Sequence, residues 1–386
     1  QFVHPAIPIY DLLIHPITPQ VMYAYAGKLY KSDDGGEKWT TLANDRSFNC
    51  VAMDSANPYR LLAGTREGDV FLSLNGGTTW NDVTANLPGY PIKDVAFGNG
   101  NGLWAGTGIS GGVGNGLLYH SANEGASWSS VNLPGQATDS EIHTIFVDSQ
   151  SPDIVYVGLR NIYNTMFNPQ NDVYLLKTTN GGMSWEVIRL PGTDAMVNIM
   201  GRASYDNALY VGTGGRVYRS GNDGQTWTNI SPSGRNSDMY DIVVDPRNTN
   251  VLYLPRRAYG IVKSTNRGAN WTPINDGLLN TTVSLIALGD PSGSTIYAAS
   301  IGGEGTFKST DYGNTWVNVT DGGITHPWAD ELAVTPTDPQ TIWEVADVGE
   351  VFVSTNGGST WTKHINTYGA GFRAGTVSAM AIAPSN

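Results

Sequence analysis

The residues of this chain best suited to chemistry are carboxylates that arrive in short acidic stretches. TDSEIH (138–143) holds Glu141, SDMYD (237–241) holds Asp241, and HPWADEL (326–332) holds His326, Trp328, Asp330 and Glu331. Asp94 sits in PIKDVAF (91–97). Two carboxyl groups sharing a pocket can divide the work of acid and base, or of acid and nucleophile. In glycoside hydrolysis a separation of about 5 Å goes with retention, and about 6.5–9.5 Å with inversion. Asp94, Glu141, Asp241, Asp330 and Glu331 are the candidates for such a pair. The plainer reading of the same residues is the polar lining of a hydrated channel.

Arginine supplies a second kind of site. Arg66, Arg160, Arg256 and Arg257 each follow a predicted strand, and a guanidinium fork grips a carboxylate with two parallel hydrogen bonds. Two long loops, GISGGVGNG (108–116) and LRNIYNTMFNPQND (159–172), carry the variation expected of binding segments. The second offers Arg160, Tyr163, Phe167 and Asp172; with Trp328 these place aromatic faces beside polar groups, as a sugar or protein ligand requires. Salt bridges on an acidic surface and loops packed on their neighbours would use the same residues structurally. The six histidines are scattered without zinc spacing, and no Gly-rich turn opens a helix as a phosphate loop must. No cofactor and no metal is expected.

These residues must be positioned by a repeat. SDDGGEKW (32–39), SLNGGTTW (73–80), SANEGASW (121–128), TTNGGMSW (178–185), SGNDGQTW (220–227), STNRGANW (264–271), STDYGNTW (309–316) and STNGGSTW (354–361) share one pattern. Their tryptophans are 41, 48, 57, 42, 44, 45 and 45 residues apart, a period that marks a repeat architecture. Each box follows two short apolar runs, as in TIYAAS (295–300) then GTFKS (305–309), and precedes a third such as TNI (228–230). A further strand upstream ends in a turn, as in DIVVDPRNTN (241–250). Four short strands per repeat, ordered A, B, C, box, D, make one blade of a β-propeller, and the chain has eight.

Within the box, Asp34, Asn75, Asn123, Asn180, Asn222, Asn266, Asp311 and Asn356 can bind turn amides, and the Gly supplies a positive φ. Trp39, Trp80, Trp128, Trp185, Trp227, Trp271, Trp316 and Trp361 are wedges for the gaps between blades. Eight near-identical copies argue for structure, since one active site does not need eight. Counting four residues back from each strand-A turn gives one position per blade: Asp11, Cys50, Asp94, Thr144, Asn198, Asp241, Ser284 and Glu331. Strand A lines the channel, so these residues should share one polar environment.

The boxes resemble the Asp-box, or BNR, repeat of sialidases, xyloglucan-cleaving glycoside hydrolases, sortilin-type receptors and a photosystem II assembly factor. The resemblance implies an all-β propeller over almost the whole chain. For activity it implies either a binding scaffold or a glycoside hydrolase, because these relatives share scaffold and not chemistry. Asn replaces Asp in six boxes, and Lys38 and Asn270 stand where Ser or Thr is usual. Sialidases hold substrate carboxylates with a propeller arginine cluster, but LPRR (254–257) matches their Phe-Arg-Ile-Pro segment poorly. The acidic stretches are similar to the strand-A starts of the xyloglucan-cleaving family without matching a catalytic motif.

Composition agrees with many short strands and turns: 47 Gly, 20 Pro, 19 Tyr and 11 Trp in 386 residues. The net charge of −12, without any basic run, argues against nucleic acid as a partner. No apolar stretch approaches the roughly 20 residues that span a bilayer, so membrane insertion is not expected. Cys50 is the single cysteine. A start at Gln1 without a charged and apolar leader, together with sequons at Asn229, Asn270, Asn280 and Asn318, fits a secreted or extracellular protein. Residues 1–376 are read as the propeller, with VSAMAIAPSN (377–386) as strand A of a further blade or a ring-closing strand. The expected partner is a glycan or a protein, with further blades or a second propeller conceivable in an intact chain.

Overall fold

A computed structural model describes residues 11–365, apart from 16–17, 19–20, 27, 34–39, 43–47, 109–116, 135–139, 162–172, 191–196, 203–206, 214, 234–241, 246–247, 257–258, 279–282, 291, 301–304, 321–322, 325–328, 336–337 and 347–349. Asp34, Trp39, Tyr163, Phe167, Asp172, Asp241, Arg257, Trp328 and residues 377–386 therefore lie outside the described residues. For Asp11, Arg160, Asn198, Ser284, Asp330 and Glu331 the backbone register alone is described.

Alternation of apolar residues with Thr, Tyr and Val, broken by Gly-rich turns, yields 32 strands in eight four-stranded antiparallel sheets. Each sheet runs A-B-C-D in chain order. The blades cover 11–42, 48–82, 92–130, 140–190, 197–229, 243–273, 283–318 and 329–365. This is the eight-bladed all-β propeller anticipated from the repeat. Among the described residues no helix is long and apolar enough to cross a membrane.

Strand B is the most buried element. Leu61–Thr65, Leu103–Thr107, Leu209–Thr213, Leu252–Arg256 and Ile296–Ser300 are buried at every position. A strand covered on both faces needs a neighbour on each side, and adjacent blades supply them. Apolar clusters join blades 1–2, 2–3, 3–4, 4–5, 5–6, 6–7 and 7–8. Strand D forms the outer edge and is only two residues long in five blades, such as Ser129–Ser130 and Thr228–Asn229. Short edges offer little template for pairing with another chain.

Seven of the eight boxes are described, and they share one geometry. In blade 2, Ser73 Oγ accepts the Gly77 amide at 2.8 Å, and Asn75 Oδ1 accepts the Thr79 amide at 2.9 Å. The same two bonds recur through Ser309 and Asp311 in blade 7. Two successive left-handed residues, Tyr312 at φ 62° and Gly313 at φ 85°, form the hairpin turn. A Cβ on Gly313 would lie 2.5 Å from Ile274 Cδ1 of the preceding blade, so glycine is required by contact as well as by φ.

The tryptophan completes the joint. Indole N–H groups of Trp128, Trp271, Trp316 and Trp361 donate to Val83, Ile230, Ile274 and Val319 O, just beyond strand D of the preceding blade. The wedge reading holds at these four joints. Trp185 instead donates to Gly182 O of its own box at 3.2 Å, and the buried Nε1 atoms of Trp80 and Trp227 have no partner among the described residues.

A third contact was not foreseen. A strand-C lysine of one blade reaches the box of the next, accompanied from blade 4 by a strand-B tyrosine. Tyr156 and Lys177 both donate to Asp223 O, Lys263 stacks on Tyr253 and donates to Tyr312 O, and Lys308 stacks on Tyr297 and donates to Gly357 O. Burial raises the Tyr156 and Tyr297 hydroxyls to about 12, which keeps them donors.

Trp316→Ala should cost about 3–5 kcal/mol in urea unfolding, since it removes a buried ring and orphans a carbonyl. Trp227→Ala, at a half-buried ring with no bonded N–H, should cost less. A loss below about 1 kcal/mol for Trp316→Ala would refute the wedge.

Candidate functional site

In six blades strand A carries one residue more than strand B opposes. The register skips Asn49, Lys93, His143, Asn198, Ser284 and Asp330 in blades 2, 3, 4, 5, 7 and 8. All six bulge residues are polar or charged. A bulge twists the strand and re-aims a side chain, so these positions distinguish the channel end of each blade. The residue after the bulge aligns across blades as Cys50, Asp94, Thr144, Ile199, Leu285 and Glu331. This corrects the eight-residue polar row: Asn198 and Ser284 occupy bulges, and apolar Ile199 and Leu285 hold the equivalent places. A one-residue insertion shifts register in a way that spacing alone does not reveal.

In blades 2 and 3, a residue at or just after the bulge bonds the A strand of the next blade. Asn49 of blade 2 donates to Ile92 O of blade 3 at 2.5 Å. Asp94 of blade 3 accepts the Val95 amide at 2.8 Å and the Ile145 amide of blade 4 at 2.7 Å. Burial raises the Asp94 carboxyl to about 7, outweighing the two amide bonds that pull it down. A raised pKa suits a general acid, but both Asp94 oxygens are committed to backbone amides. Its geometry is that of a staple between blades.

Glu141, only 5% exposed, lies 3.6 Å from the Lys93 ammonium of the neighbouring blade. Lys93 reaches it by crossing Gly108, where a Cβ would fall 2.1 Å from Lys93 Cε. The glycine that opens the blade 3 loop thus makes room for a cation. Glu141 is also in register with Arg160, which places that arginine at the same end of blade 4.

The remaining candidates are dispersed. Arg66 is exposed after strand B of blade 2. Arg256, in blade 6, is 5% exposed with its guanidinium 4.7 Å from the Tyr259 ring centroid. It is a buried, stacked arginine, in contrast to the open fork expected of a ligand contact. Asp330 and Glu331 are adjacent at the blade 8 bulge by register. Among the described residues no cluster of three His, Cys, Asp or Glu could hold a metal ion.

Sequence reasoning missed Glu344. It is wholly buried in strand B of blade 8, bonded to the Thr306 hydroxyl of blade 7, and burial raises it to about 7. The available signal was a carboxylate inside the apolar run TIWEVA (341–346).

Carboxyl 13C shifts should place the Asp94 titration midpoint near 7. A midpoint below about 5 would mean that the two amide donors outweigh burial.

No family model matches the chain. Among curated proteins it is 26% identical over 154 residues to a xyloglucanase of Hypocrea jecorina (strain QM6a), covering 39% of this chain and 17% of that protein. It is 25% identical over 264 residues to a xyloglucanase of Paenibacillus sp, covering 53% and 24%. The chain thus spans at most about a quarter of these relatives' length. Among solved structures, the GH74 xyloglucanase of Xanthomonas campestris superposes with a TM-score of 0.57 at 18% identity, over 94% of this chain and 68% of that one. YCF48 bound to a D1 peptide gives 0.51 at 18% identity, over 76% and 89%. With its eight four-stranded sheets, the chain is a β-propeller sharing its fold with GH74 xyloglucanases and YCF48.

Proposed function

We propose that this chain is a binding propeller, acting outside the cell, whose glycan or protein ligand docks at the end where strands A begin and the B–C loops project. The observation that carries this reading is the commitment of the described candidate carboxylates. Asp94 has both oxygens on amides, and Glu141 is buried against Lys93. Neither is disposed as an acid–base partner open to substrate. The same end carries Arg66 and Arg160, donors suited to hydroxyls and carboxylates. Propellers with this fold serve both ligand classes: YCF48 is bound to a D1 peptide, and the GH74 proteins are xyloglucanases.

A second reading, a glycoside hydrolase acting on a polysaccharide, rests on the sequence likeness to two xyloglucanases. In that case Asp241, Asp330 and Glu331 are the candidate acid, base or nucleophile.

Titration calorimetry with xyloglucan oligosaccharides and extended peptides tests binding, and a hydrolysis screen on xyloglucan and other β-glucans tests turnover. The binding reading expects saturable heat that weakens several-fold in Arg66→Ala, with no released reducing ends. Turnover abolished by Asp241→Asn or Glu331→Gln would replace it with the hydrolase.

A further inference from the structure

The eight-fold repeat provides its own controls, and one joint departs from the other six described ones. At six joints the strand-C residue three places before the box Ser or Thr shares a buried apolar cluster with a strand-B residue of the next blade, the one two places beyond the partner of that blade's own box Ser or Thr. The pairs are Leu29 with Ala63, Val70 with Ala105, Leu118 with Val157, Leu175 with Val211, Val217 with Leu254, and Ile261 with Ala298. Every pair is aliphatic and buried. At the joint of blades 7 and 8 the same two places hold Thr306 and Glu344, both 0% exposed.

Both members have changed together, and they bond to each other. The Thr306 hydroxyl meets Glu344 Oε2, while Oε1 is buried without a partner among the described residues. An ionised carboxylate with one hydroxyl donor and an empty second oxygen is strongly disfavoured, whereas a neutral carboxylic acid fits. We propose that the joint between blades 7 and 8 is controlled by a proton: it is tight while Glu344 is protonated and loosens when Glu344 ionises.

Among the described residues no charged side chain is bonded to Glu344. On strand C of blade 7, Lys308 lies one alternation from Thr306, but its ammonium donates to Gly357 O. Tyr297 of strand B in blade 7 donates to Pro339 O. Within blade 8, Glu344 is opposite Leu332 of strand A and Phe352 of strand C. Asp330 and Glu331 precede Leu332, Glu350 precedes Phe352 in strand C, and Lys363 of strand D pairs with Phe352. Burial lifts the carboxyl from its ordinary 4.5 to about 7. Its contribution is therefore complete below pH 4.5 and is lost as pH rises towards 7.

Hydrogen–deuterium exchange of the intact chain from pH 5 to pH 8, corrected for intrinsic rates, tests this. Protection in Asp338–Ala346 and Glu350–Ser354 should fall roughly 10- to 100-fold, while Leu252–Arg256 at the aliphatic joint of blades 5 and 6 stays level. Glu344→Gln cannot ionise and should abolish the fall. The double variant Thr306→Leu with Glu344→Val rebuilds the pair of blades 3 and 4, and it should behave likewise if the single variant folds poorly. A level wild-type profile, or a fall that persists in both variants, would overturn the proposal.

Discussion

A blade of this propeller has no core of its own, and the rest of the structure follows from that constraint. Its central strand is buried on both faces, yet the sheet is one layer thick, so each blade borrows its interior from the blades beside it. The box makes this borrowing repeatable. Its tight turn brings a Cβ-less residue against the preceding blade, in four boxes its indole bonds a carbonyl there, and in three a lysine of the preceding blade reaches the box backbone. These contacts fix the angle between consecutive sheets. They also bring the starts of successive A strands close enough for Asn49, Lys93 and Asp94 to span from one to the next.

Blade 4 shows what happens when the joint varies. Trp104, a strand-B residue of blade 3, lies over Gly182, where a Cβ would come within 2.5 Å of its ring. Trp185 then turns edge-on to it at 5.8 Å and bonds its own box. On the other side strand D of blade 4 is five residues long, Glu186–Leu190, and Trp227 leaves its N–H unbonded. Cavities of about 250 and 420 Å³ open beside these two tryptophans. An aromatic contact thus takes over from a hydrogen bond at the first joint, and at the second the indole N–H has no partner among the described residues.

The sequence revealed the scaffold because its determinants are local. A Gly-Trp box and an apolar run report turn chemistry and strand placement without knowledge of the partner. The channel was less legible. Asn198 and Ser284 looked equivalent to Asp94 because polar residues fill both the bulge and several of the places after it, and only pairing with strand B shows that Ile199 and Leu285 hold that place. The role of Asp94 was hidden for a related reason: its second acceptor bond comes from Ile145, fifty-one residues away. Glu344 lies inside an apolar run and Thr306 opens a strand, and neither residue alone reveals that the other faces it. Their meaning appears only when two blades are set side by side.

Surroundings act in opposite directions on the carboxyls at the joints, where burial prevails, and those in the turns, where hydrogen-bond donors prevail. Asp94 and Glu344 are raised to about 7 by desolvation, so the stability they lend is full in acid and declines as pH climbs from their ordinary values towards 7. Asp311, in a box, is lowered to about 2 by the Thr315 and Ser309 donors around it, and Asp290 is lowered by Ser292, Ser294 and Thr295. Those two contribute above the normal carboxylate range and lose their effect as pH falls below it. The turns therefore resist strong acid least, and the joints resist neutral pH least. Between the two limits these four carboxyls are in the state their surroundings favour.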